Sequence, residues 1–127
     1  MIKEQRMYCV SPRHLSGIQK GIQSAHAIIE YSNFYKNNED YIQWTKKDKT
    51  LILLEINSTD ELKKLHLNLI NLNYPVHLFL EPDINDSITA IAFLLDEEVW
   101  NSEKYITVSK KVEKLRELVS PLRLASN

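Results

Sequence analysis

Apolar residues along this chain alternate between short runs and stretches in which they recur every three or four positions. Met7-Tyr8-Cys9-Val10 is the first run, and it predicts a short buried strand ended by Ser11-Pro12. Leu15, Ile18, Ile22, Ala25 and Ile29 then fall on one stripe. That spacing predicts a helix packed through those residues, with Ser16 as N-cap, running to about Tyr35 before residues 36–40 break it. Residues 40–48 predict a helical turn or two. The run Thr50-Leu51-Ile52-Leu53-Leu54-Glu55-Ile56 has the length and continuity of a strand buried on both faces.

Ser58, with Glu61 three residues later, opens a second helix carried by Leu62, Leu65, Leu69 and Leu72, a capping-box start. Tyr74-Pro75 stops it. Residues 76–81 predict a third strand, 82–86 a turn and 87–95 a fourth strand. An acidic segment around Trp100 follows, then a helix with Val108, Val112, Leu115 and Leu118 or Val119. This order is that of an α/β domain. Helical crossovers make the early strands parallel, and the short turn makes strands three and four antiparallel. The expected architecture is one domain over 1–127: a mixed four-stranded sheet, its first strand central, with helices on both faces in three α/β/α layers.

Composition narrows the picture. Hydrophobic content of 43% and charged content of 26% are those of a globular domain and argue against disorder. The net charge of −1 gives no overall attraction to nucleic acid. The charge is uneven, however: residues 80–103 hold seven acids and no base, whereas 104–127 hold six bases against two acids. A basic patch from the two ends of the chain is compatible with that total. The single cysteine, Cys9, excludes an internal disulfide, fits a reducing compartment and reads as a buried strand residue. The first ten residues lack a signal-peptide core, and no run approaches the roughly 18 apolar residues of a membrane span. The expected setting is therefore the cytoplasm, with no membrane, metal or cofactor.

The first helix carries the candidate chemistry. His26 borders its apolar stripe, followed round the helix by Gln19, Glu30 and Gln23, with Lys20 about 60° further on. Both glycines of the chain, Gly17 and Gly21, lie in its first turns, where each costs roughly 1 kcal/mol against alanine in a helix interior. In open α/β sheets ligands bind beyond the strand C-termini, where this helix begins. Its free N–H groups favour an anion, and the glycines would admit a ligand or a backbone closely.

The run His14-Leu15-Ser16-Gly17-Ile18-Gln19-Lys20-Gly21-Ile22-Gln23-Ser24-Ala25-His26-Ala27 resembles the first helix of the type-two peptidyl-tRNA hydrolase family. Gln23 to Ala27 matches that family's Q-x-x-H-A. The similarity covers about residues 7–95, through the second strand, the Ser58 helix start and the third strand. Residues 87–95 resemble the family's last strand, and 96–127 form an extension with a helix. Two departures affect the chemistry. Gln19 stands where the family has lysine, with Lys20 one place later, and Glu81-Pro82-Asp83 stands in place of Asp-Ala-Gly.

The resemblance implies an enzyme that cleaves the ester between a peptide and the tRNA 3′ end, without metal or cofactor, as a possible homodimer. On this chain it implies Lys20, Glu81, Asp83, Ser87 and Thr89 as catalytic residues, with Gly17, Gln19, Gln23 and His26 binding substrate. Peptidyl-tRNA would be the partner, its phosphates held by the basic ends. Such chemistry needs a group that orients water and a donor for the developing oxyanion. The alternative on the same scaffold is an inactive module that binds a nucleotide, RNA or protein.

Overall fold

The computed structural model describes residues 3–127. In chain order they form β1 (Gln5–Pro12), α1 (Gly17–Tyr35), α2 (Glu39–Gln43), β2 (Leu51–Ile56) and α3 (Thr59–Asn71). Then come β3 (His77–Glu81), β4 (Ser87–Asp96), α4 (Glu97–Trp100), α5 (Lys110–Val119) and β5 (Arg123–Leu124). Ser16 and Ser58 act as the expected caps, their hydroxyls accepting from the N–H of Gln19 and Glu61. A π-helical turn at Trp44–Asp48 extends α2 and ends at Lys49, whose φ of 61° closes the turn before β2.

The sheet is mixed, in the order β3-β4-β1-β2-β5. Its central strand, β1, runs parallel to β2 and antiparallel to β4. It has five described strands where four were expected. The fifth, β5, pairs Arg123 with Glu55 and Leu124 with Leu54. Both its residues are exposed, so it carries no hydrophobic signature; backbone hydrogen bonds alone define it.

Alternation along β1 divides the core. Met7 and Cys9 cluster with Ala27 and Tyr31 of α1 and with Ala90, Ala92 and Leu94 of β4. Tyr8 and Val10 cluster with Leu62, Leu65 and Leu69 of α3, with Phe93 and Leu95, and with Leu115 of α5. Each of these leucines contributes about 1.5–3 kcal/mol through burial. Cys9 is buried as expected, and desolvation pushes its thiol up to about 12. Among the described residues no helix is long and apolar enough to cross a membrane.

The orientation of α1 departs from the expected one. Its buried residues are Lys20, Gln23, Ser24, Ala27 and Tyr31. The apolar stripe faces out instead: Ile18 is 77% exposed, Ile22 43% and Ile29 55%, and Ala25 is exposed with them. The reason lies in the sheet. The strand residues under α1 include the small side chains Cys9, Ala90 and Ala92, which bring the helix close and suit Ser24 and Ala27 at the contact. At the sheet's end, polar partners await Lys20 and Gln23. The apolar positions of α5 are also absorbed, since Val112, Leu118 and Val119 pack on the α3 cluster.

Candidate functional site

Strand directions bring the chemistry to one edge of the sheet. β1 and β2 end there at Pro12 and Ile56, and β3, antiparallel to β4, ends there at Glu81 where β4 begins. The loop to α1 is tied to the same edge: Arg13 N–H donates to the Ile56 carbonyl at 2.7 Å, and Leu15 N–H to the Pro12 carbonyl at 3.2 Å. The first turns of α1 thus lie over the strand ends, the usual ligand position in such sheets. Two polar clusters meet the helix there.

Gln23 organises the first cluster. Its Nε2 donates to Glu81 Oε2 at 3.0 Å and to Gln19 Oε1 at 3.2 Å. Its Oε1 accepts from Thr89 Oγ1 at 2.6 Å. Gln23 and Thr89 are both buried, so a satisfied amide is fixed beneath a half-buried carboxylate. A bulge makes this contact possible. Phe79 pairs with Ala90 and Leu80 with Ile88, leaving Thr89 as the extra residue of β4. Ile88 and Ile91 belong to the α3 side and Ala90 to the α1 side. Thr89 and Ala90 therefore both face α1, a re-aiming for which bulges are used near sites.

The other expected residues surround this cluster without joining it equally. Asp83 contributes its backbone N–H to Glu81 Oε1 at 3.3 Å and is itself exposed. Ser87 Oγ donates to the Ile84 carbonyl at 2.7 Å and thereby holds the turn between β3 and β4. His26 is exposed, with its ring stacked on Phe79 at 4.4 Å between centroids.

Lys20 belongs to a second cluster, contrary to the expected grouping with Glu81. Its Nζ lies 3.0 Å from Glu55 Oε1 and donates to the Ser126 carbonyl at 2.6 Å. The same Glu55 Oε1 accepts from Ser126 N–H at 3.0 Å. Lys20 is 2% exposed and Glu55 6%. The Lys20 hydrogen bond, helped by Ser126 N–H, holds the Glu55 carboxyl below the usual range. Helix geometry separates the two clusters: Lys20 and Gln23 differ by about 60° around α1, enough to send one to β2 and the other to β3 and β4.

The glycines also divide. A methyl at Gly17 would overlap the Asn127 Oδ1, whereas one at Gly21 would meet nothing within 4 Å. Gly17 thus admits a ligand-like group, supplied by the chain itself. Beside it lies a cavity of about 290 Å³ lined by Gly17, Ile18, Lys20, Leu53 and residues 125–127. A larger cleft of about 390 Å³ separates α3 from residues 117–123. Sequence reasoning missed Glu55, Ser126 and Asn127. Glu55 had a signal, being the one charge in an otherwise apolar strand run; the other two had none. Among the described residues no group of three His, Cys, Asp or Glu is arranged to hold a metal.

No family model matches the chain, and no curated protein matches it significantly. It is similar in fold to a solved structure from Agrobacterium tumefaciens strain C58, described as Atu0240, a protein of unknown function. The TM-score is 0.59 at 10% identity, over 98% of this chain and 100% of that one.

Proposed function

We propose that this chain is a divergent ester hydrolase of the peptidyl-tRNA hydrolase kind, on a three-layer α/β/α scaffold, releasing a peptide from the tRNA 3′ end. The observation that carries this reading is Glu81, a half-buried carboxylate held at 3.0 Å by an amide that is itself buried and satisfied. A carboxylate fixed in direction and open to solvent suits a water-orienting base. In the reaction Glu81 takes a proton from water as the oxygen attacks the ester carbonyl. The exposed Gln19 amide stands on the same helix face to donate to the developing oxyanion. Collapse of the tetrahedral adduct breaks the bond to the ribose 3′ oxygen, which recovers the proton from Glu81. Lys20 takes no part, because Glu55 and Ser126 occupy it. Arg13 and Arg123, both exposed and on segments hydrogen-bonded to β2, would meet tRNA phosphates in a salt-sensitive contact.

The seclusion of Lys20 favours a second reading, a module that binds RNA ends without turnover. One assay separates the two. Purified protein is incubated with N-acetylated aminoacyl-tRNA, and release of the acyl group is followed. Hydrolysis that falls at least tenfold in Glu81→Gln supports the enzyme. A folded protein giving no release above buffer overturns it, and salt-dependent retention of the tRNA then identifies the binder.

A further inference from the structure

The residues over Lys20 and Glu55 behave as a bound ligand would. Ser126 gives both its main-chain groups to one buried ion pair: its carbonyl accepts from Lys20 Nζ, and its N–H donates to Glu55 Oε1. Asn127 lies in the space that the missing Gly17 side chain leaves. The approach is that of an added strand, with Leu124 opposite Leu54 and Ala125 N–H donating to the Leu53 carbonyl at 2.9 Å. No apolar anchor holds it: Leu124 is 71% exposed, and Ser126 and Asn127 are exposed. A buried charge pair is costly unless its remaining valences are met, so whatever covers this pair must bring one carbonyl and one N–H in extended register.

We propose that the Lys20–Glu55 pair at the outer edge of β2 is a recognition site for an extended peptide main chain, and that residues 123–127 are a displaceable strap filling it. A peptide bound in trans would add to the β2 edge in place of β5, its main chain bonding Leu53 and the ion pair, with a small polar side chain over Gly17. This inference uses neither Glu81 nor Gln23 and shares Arg123 alone with the hydrolase reading.

The test uses the whole chain. Ser126→Pro removes the N–H given to Glu55 while keeping extended backbone. Acylation of Lys20 by a water-soluble amine reagent is followed by peptide mass spectrometry, with the exposed Lys63 as internal standard. The expected result is a Lys20 rate at least tenfold above wild type with an unchanged melting curve. The acetylated pentapeptide Arg-Leu-Ala-Ser-Asn should bind this variant at micromolar to millimolar concentration and restore protection, which a peptide N-methylated at the serine should not do. An unchanged Lys20 rate in a folded variant, or exposure without protection by the peptide, overturns the proposal. Should Ser126→Pro not fold, hydrogen exchange on wild type decides. Ala125 and Ser126 amides should exchange at least a hundredfold faster than Leu53 and Leu54, through local opening. Exchange only with global unfolding would mean that the strap is fixed architecture.

Discussion

The two clusters on the first turns of α1 differ in how they treat charge. On the β2 side, Lys20 and Glu55 are both buried, 3.0 Å apart, and closed over by Ser126. On the β4 side, neutral Gln23 and Thr89 are buried and the charge they hold, Glu81, reaches solvent. A charge neutralised inside contributes to holding the chain together but is unavailable to a substrate while residues 123–127 cover it. A charge oriented from beneath and open above is available. Three residues along one helix therefore separate a structural use of polarity from a chemical one.

Breaking the ion pair is the strongest way to test this division. Lys20→Met leaves Glu55 buried with the exposed Arg123, 3.9 Å away, as its remaining cation and should destabilise by about 2–3 kcal/mol in urea unfolding. That is below the 3–5 kcal/mol of a deep pair, because only the strap separates this one from water. Lys20→Met with Glu55→Leu should recover most of the loss. A double variant as unstable as the single would mean that the pair does more than satisfy itself.

Removing the organising amide is next. Gln23→Ala leaves Thr89 Oγ1 buried without its acceptor and should cost about 1–3 kcal/mol, together with the orientation of Glu81. Glu81→Gln, by contrast, should change stability by less than about 0.5 kcal/mol while abolishing any ester hydrolysis. Equal losses of stability in the two variants would erase the distinction between the clusters.

A smaller effect appears in acid. The Glu55 carboxyl is held low by Lys20. Its contribution is thus complete above the unfolded value near 4.5 and is lost as pH falls through the folded value, because the unfolded chain takes up the proton first. Asp96, raised by burial, acts in the opposite direction, so the useful measurement is the difference between wild type and Glu55→Gln. Melting curves from pH 6 to 3 should show the variant losing less with falling pH. Parallel curves would mean that the pair is open to solvent.

A small gain is expected at Gly21. Alanine there meets no atom within 4 Å, so the helix should gain up to about 1 kcal/mol with no change at either cluster. A loss of stability would mean that something packs on this face of α1. Gly17→Ala, in contrast, should shift the Asn127 side chain and speed exchange of the strap.

Local patterns were enough to define most elements. The serine caps at 16 and 58, the leucine ladder of α3 and the apolar runs of β1, β2 and β4 depend on residues close in sequence, where periodicity and capping chemistry act directly. The same is true of the α/β order. Three decisions belonged to the tertiary structure. The first is which face of α1 is buried: periodicity points to the isoleucine stripe, yet the small residues of the sheet and the polar partners at its edge turn Lys20, Gln23 and Ala27 inward instead. The second is the partner of Lys20, since Glu55 is 35 residues away and no local rule relates them. The third is β5, two exposed residues that become a strand only because β2 presents unpaired backbone groups beside them. Sequence fixes what a segment can do alone; contacts between distant segments choose among faces and partners of similar local energy.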